Sequence, residues 1–311
     1  MPKLSAKVRI FMGAIVAKFH PRLPRCLHVM VTVCVTGCLL SALNGCAWWD
    51  QKERSLVYRP TPGRPADFAG LAKGDESFTV DVPGNNADAP DHLHMWWLPN
   101  ADPHAPTLLY LHGTFRALYR NLPKIDALRE AGFSVLAVDY RGWGESTPLI
   151  PSERSILADA DRAWQELVRR QPDPHKRVIF GHSLGGGVAI DLASRKHYPV
   201  DYGALIVEST FTNLPEVASA AGVLGTIASW ITRQKFDSVD KIGQVDAPIL
   251  MLHGENDRTV PVALGRRLRD AARPGSVHWI EVPGGSHSDL HVEAPELYRD
   301  AVKSVIEQLP T

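Results

Sequence analysis

Val178-Ile179-Phe180-Gly181-His182-Ser183-Leu184-Gly185-Gly186-Gly187 carries an apolar run into Gly-x-Ser-x-Gly and then into a helical pattern. A chain that turns sharply from strand to helix forces its apex residue into a strained conformation, and only glycine-sized residues fit two positions either side of it. Gly181 and Gly185 stand at those positions, with Ser183 at the apex. Such a turn lifts the Ser183 hydroxyl above the sheet. The helix that follows offers unpaired backbone N–H groups and the positive end of its dipole to a developing oxyanion, and Leu184 N–H is the first candidate donor. Five-residue patterns recur by chance, so the glycines alone would equally suit a loop without chemistry.

The flanking sequence narrows the choice. Upstream, Thr107 to Leu111 is a continuous apolar run, as in a parallel strand buried on both faces. His112-Gly113-Thr114 follows it, at the strand end where open α/β sheets place their sites. Leu118 to Gly132 reads as a helix, Ser134 to Val138 as a strand, and Asp139-Tyr140-Arg141-Gly142-Trp143-Gly144-Glu145-Ser146 as the loop after it. Trp143 fits either a pocket border or simple packing. Ser155 to Arg170 is an amphipathic helix, and Arg177 to Phe180 is the strand feeding the serine. Phe78 to Val82 and His94 to Leu98 alternate as the two strands of a hairpin around Pro83-Gly84-Asn85-Asn86. His92 and His94 share a strand face, but no third ligand is near enough to suggest a metal. Beyond the serine, Ala204 to Val207, Ile249 to Leu252 and Val277 to Val282 are further strands, so buried strands alternate with helices and imply a parallel sheet wrapped on both faces.

Four pieces in this order resemble the α/β-hydrolase family: His112-Gly113-Thr114, Asp139 to Ser146, the Ser183 turn, and His253-Gly254-Glu255-Asn256-Asp257 with Gly284-Gly285-Ser286-His287. The resemblance spans about Phe78 to the C-terminus. It is to the cap-poor serine hydrolases, which include serine-aminopeptidase-like proteins and membrane-facing lipid or thioester hydrolases. It implies an α/β fold of the α/β-hydrolase type, with a mostly parallel central sheet and helices on both faces. It further implies Ser183 as nucleophile, His287 as base and Asp257 as the acid that orients it. Glu255 and the more distant Glu208 are rival carboxylates, and His291 is the rival base. The backbone N–H groups of Leu184 and Thr114 are the expected oxyanion donors; many relatives have Asn-Ala-Gly where this chain has Thr114-Phe115-Arg116, so the second donor is assigned by position.

The implied chemistry is cleavage of an ester or thioester through an acyl-enzyme, without metal or organic cofactor. A serine peptidase is the alternative enzyme, and a catalytically silent hydrolase fold serving as an interaction protein is the alternative of another class. Glu208 to Pro248 is the connection in which many relatives insert a cap. At about 40 residues it is too short for an independent domain, which suggests an open site for acyl or lipid-like substrates. Val217 to Ile231, with Val223, Leu224, Ile227, Trp230 and Ile231, suits a flap over an acyl chain or the core face of a connecting helix.

The chain of 311 residues is 44% hydrophobic and 22% charged, an ordinary globular composition. Its net charge of zero conceals an asymmetry: six of 34 basic residues precede residue 46, and none of the 34 acidic ones does. The remainder is therefore mildly acidic, with no electrostatic reason to seek nucleic acid. A basic start, an apolar segment from Leu27 to Leu43 and Leu43-Asn44-Gly45-Cys46 read as a bacterial signal peptide over 1–45 with a lipobox-like end. All four cysteines (Cys26, Cys34, Cys38, Cys46) lie in this region, so the body has no thiol for an internal disulfide. The resemblance to lipoproteins implies acylation at Cys46, with Cys38 as the rival, and Ala47 after it favours the outer membrane. An uncleaved inner-membrane anchor is the alternative. Residues 46–74, rich in Pro, Gly and Ala from Arg59 onward, read as a tether or wrapping segment ahead of a hydrolase domain over 75–311.

Overall fold

The computed structural model describes residues 48–84, 89–220, 222, 229 and 232–311. The chain divides into Met1–Glu53, of which residues 48–53 are described and helical, and a body spanning Arg54–Thr311. Cys46, Cys38 and the whole expected signal peptide lie outside the described residues, as do Asn85-Asn86 of the hairpin turn and Val223, Leu224, Ile227, Trp230 and Ile231 of the expected flap. Among the described residues no helix is long and apolar enough to cross a membrane.

Eight strands build one sheet: β1 (Glu76–Val82), β2 (Asp91–Leu98), β3 (Thr107–Leu111), β4 (Ser134–Asp139), β5 (Arg177–His182), β6 (Ala204–Glu208), β7 (Ile249–Gly254) and β8 (Val277–Val282). Their spatial order is β1-β2-β4-β3-β5-β6-β7-β8. β2 runs antiparallel to both β1 and β4, and every other pairing is parallel. Each residue of β3, β4, β5 and β6 is buried, which is why these segments read as unbroken apolar runs rather than alternations.

The crossover from β3 to β4, through α1 (Leu118–Glu130), moves one way along the sheet, whereas the later crossovers move the other way. Right-handed connections therefore put α1 on one face and α2 (Glu153–Arg170) and α3 (Leu184–Ser194) on the other. The reversal lies between β3 and β5, where such sheets open a crevice at their C-terminal edge. Leu111 pairs with Gly181, and Gly181 with Val207, so the residues following these strands emerge side by side there.

Local signals set the helix limits. α1 stops before Gly132, whose φ of +116° suits glycine. α2 begins at Glu153, two residues before the apolar periodicity suggests, because Ser152 and Ser155 form a reciprocal cap: Ser155 N–H donates to Ser152 Oγ at 3.1 Å and Ser152 N–H to Ser155 Oγ at 2.8 Å. Glu208 to Pro248 contains α4 (Leu214–Ala220) and α5 (Ser238–Ile242), and among the described residues no large cap covers the sheet. After β7 come α6 (Val262–Ala271) and, past β8, α7 (Leu290–Glu293) and α8 (Pro295–Glu307).

The Pro- and Gly-rich stretch after Arg59 lies against the body. Gly63 N–H donates to Gly144 O at 2.6 Å and Gly144 N–H donates to Thr61 O at 3.0 Å, and Phe68 stacks on Trp96 at 5.5 Å and meets Tyr119 edge-on at 4.6 Å. Trp143 is fully buried and packs against His112 and Tyr140, so it supports the loop after β3.

Candidate active site

Ser183 sits at the end of β5 with φ 55° and ψ −119°, a conformation costly for any residue with a Cβ, on the order of 1–3 kcal/mol. The surroundings hold it there. Ser183 N–H donates to Glu208 O at 2.9 Å, and its own carbonyl accepts from Gly186 N–H and Thr210 Oγ1, both at 2.9 Å. A Cβ on Gly181 would lie 2.1 Å from Gly185 O, and one on Gly185 would lie 2.0 Å from Leu111 O. Both glycines are therefore required by backbone approach, as the sequence pattern implies.

His287, in the loop after β8, faces the serine. Ser183 Oγ lies 3.0 Å from His287 Nε2, and His287 Nδ1 lies 2.7 Å from Asp257 Oδ2. With the Nδ1 proton donated to the carboxylate, Nε2 is left as the acceptor for the serine hydroxyl. Asp257 is fixed from the other side by Thr259 and Val260, whose N–H groups each donate to Oδ1 at 2.8 Å. Burial favours its neutral form, yet hydrogen bonds from His253 and His287, the charge of His287 and the Val260 N–H outweigh burial and hold the carboxyl well below the usual carboxylate range.

Leu184 and Thr114 both stand near this line. Leu184 is the first residue of α3, where the helix geometry leaves its N–H without an intrahelical partner. Thr114 lines the same cavity as Ser183, a hollow of about 200 Å³ that Arg116, Lys124, His182 and His287 also border. A larger hollow of about 510 Å³ lies at the other end of the parallel strands, beside Ala204, Ile249 and Val277, and none of the residues named above borders it.

The rival residues are occupied elsewhere. Glu208 forms a buried ion pair with Lys124 and accepts from Tyr298 OH at 3.0 Å. Glu255 is exposed and accepts from Gly284 N–H at 3.1 Å. His291 packs beside Tyr298, at 6.0 Å between rings. Neither His92 nor His94 belongs to a metal cluster, since no group of three or more candidate ligands occurs among the described residues. His94 instead bonds Ser77 Oγ at 2.8 Å.

Sequence reading passed over four side chains that the fold gathers here. Lys124 comes from the buried face of α1, where a lysine looks like a misplaced surface residue until Glu208 is seen opposite. His112, His182 and His253 each lie within a motif, but only the tertiary structure shows what their ring nitrogens reach. Burial depresses His182 well below its ordinary value, and the charges of Lys124 and His287 add to that, so the ring is neutral.

The family model described as serine aminopeptidase, S33, matches residues 102–238. An uncharacterized protein of Mycobacterium tuberculosis, Rv2307c, is 30% identical over 82% of this chain and 87% of its own length. The lysophosphatidylserine lipase ABHD12 of Rattus norvegicus is 35% identical over 69% of this chain, which spans 57% of that protein. Among solved structures, the Pyrococcus furiosus esterase Pf2001 superposes with a TM-score of 0.65 at 17% identity, covering 81% of this chain and 99% of that one, a likeness of fold alone.

Proposed function

The chain belongs to the α/β-hydrolase family, and from that premise we propose that it is a serine hydrolase with Ser183 as nucleophile, His287 as base and Asp257 as orienting acid. The observation that carries this reading is the unbroken hydrogen-bonded line from Asp257 through His287 to Ser183. His287 Nε2 takes the hydroxyl proton while Ser183 Oγ adds to a carbonyl carbon. Asp257 stabilises the imidazolium without itself taking the proton, and the Leu184 and Thr114 N–H groups receive the oxyanion. The tetrahedral adduct collapses, the leaving group departs with the proton from His287, and an acyl-serine remains. Water, deprotonated by His287, then releases the acid.

The substrate in this reading is a carboxylic ester or thioester of lipid-like type. The name of the rat lipase supports it, as does the short connection from Glu208 to Pro248. The family model's description as an aminopeptidase keeps amide cleavage as the second reading. A lipid anchor at Cys46, holding the enzyme at the outer membrane of a bacterial envelope, would set it beside such substrates.

The decisive experiment is treatment with a fluorophosphonate followed by intact-mass measurement. One adduct is expected on the native protein and none on Ser183→Ala, with short acyl esters cleaved faster than aminoacyl amides. A folded native protein that takes no adduct would instead indicate the silent hydrolase fold, and faster removal of N-terminal residues from peptides would indicate the aminopeptidase.

A further inference from the structure

Three buried histidines outside the triad share one arrangement. His112 directly follows β3, His182 ends β5 and His253 lies in β7, so all three stand at the sheet's C-terminal edge. Each directs one ring nitrogen at a backbone carbonyl: His112 Nδ1 at Gly113 O (2.6 Å), His182 Nε2 at His287 O (2.9 Å) and His253 Nε2 at Val260 O (2.9 Å). A carbonyl oxygen can only accept, so the named nitrogen carries the proton in each ring. The three carbonyls belong to three different loops, which bear Thr114, His287 and Asp257.

We infer that His112, His182 and His253 are positioning residues, each holding through one ring N–H the loop that presents one part of the catalytic apparatus. The inference rests on the triad reading above. Its physical content differs at each position. In a trans peptide the C=O and N–H of one unit point in opposite directions, so fixing the Gly113 carbonyl also fixes the aim of the Thr114 N–H. His182 grips the backbone of the base residue itself, which sets the point from which the His287 ring reaches Ser183; the two rings are 5.1 Å apart. His253 closes the acid turn, and its Nε2 also lies 3.4 Å from Asp257 Oδ2, so one proton is shared between the turn and the acid.

The rings are themselves held. His112 is enclosed by Tyr140 and Trp143. His253 lies along Trp279, and a Cβ on Gly265 would come 2.4 Å from its Nδ1, so glycine is what admits the ring. Burial of all three keeps water from replacing the hydrogen bonds.

The two nitrogen positions make the inference testable by crossed rescue. The side-chain amide of Asn falls where Nδ1 of His stands, and that of Gln falls where Nε2 stands. Each position is changed to Leu, Asn and Gln, and kcat and KM on a neutral p-nitrophenyl acyl ester are measured beside thermal unfolding. Leu is expected to lower kcat by about 10- to 100-fold with KM within about threefold, as befits misplaced groups rather than lost binding. Asn should restore kcat at 112 but not at 182 or 253, and Gln at 182 and 253 but not at 112. Where a Leu variant does not fold, the Asn and Gln pair decides alone. Equal effects of Asn and Gln at all three sites, or losses of kcat that track the unfolded fraction, would overturn the inference. Fluorophosphonate labelling of the native protein separates the two levels: labelling with no crossed rescue removes only the histidine inference, whereas no labelling removes the triad reading beneath it.

Discussion

At the residue scale the proposed chemistry depends on how Asp257 is held. It receives two backbone N–H groups on one oxygen and a histidine on the other, and its carboxyl is held well below the usual range. A carboxyl with a lower pKa folded than unfolded contributes stability above its unfolded pKa of about 3.9, and that contribution is lost as pH falls towards the folded value. Asp257→Asn should therefore be less stable than the native protein at neutral pH, and the gap should narrow as pH drops below about 4. Urea unfolding of both proteins between pH 7 and pH 3 measures it, and a gap that widens in acid would contradict this account. The same variant should lose on the order of a thousand-fold or more in kcat, because an amide can hold His287 in the wrong tautomer.

At the element scale, the strand-to-helix turn and the buried ion pair under the site make opposite demands. The turn requires small residues: Gly185→Ala would drive a methyl against Leu111 O, and neither backbone can move without shifting β3. Destabilisation by at least about 1–3 kcal/mol is expected, together with loss of activity in whatever fraction folds. The ion pair requires both partners, since Lys124 joins α1 to Glu208 at the end of β6 with both side chains nearly sealed from water. Lys124→Met leaves a buried carboxylate supported by Tyr298 alone and should cost about 3–5 kcal/mol. Adding Glu208→Gln removes the stranded charge while keeping an acceptor for Tyr298, so the double variant should recover most of the loss. Chemical denaturation of the single and double variants tests it; a double variant no more stable than Lys124→Met would show that the charge is not the source of the cost.

At the scale of the whole molecule, the sheet brings together groups far apart in sequence and leaves their meeting point without a large cap. Ser183 and His287 are 104 residues apart yet hydrogen-bonded. The proposed attachment belongs to this scale too. Expressed in a Gram-negative host, the protein should incorporate labelled palmitate and partition into detergent, and Cys46→Ser should remain unlabelled and unprocessed while still cleaving esters. Several acyl chains, at about 0.8 kcal/mol per buried CH₂, make release from the membrane negligible. Label that persists in Cys46→Ser and vanishes in Cys38→Ser would move the anchor to Cys38, and no label in any form would favour a plain membrane anchor.

The order of elements, the parallel core and the identity of the turn at Ser183 were legible in the linear chain because they rest on local requirements. Continuous apolar runs mark strands buried on both faces, and Gly181 and Gly185 mark a close backbone approach. β3, wholly buried, matches its apolar run residue for residue, and β8 keeps its expected bounds although only Val282 in it is buried. What the tertiary structure alone decided were relations across strands: Lys124 against Glu208, Trp143 packed behind His112, and the three histidines that hold loops rather than react. Such residues obey no period and no spacing rule, since their partners lie on other elements and burial, invisible in sequence, turns a lysine or a histidine from a surface group into part of the site.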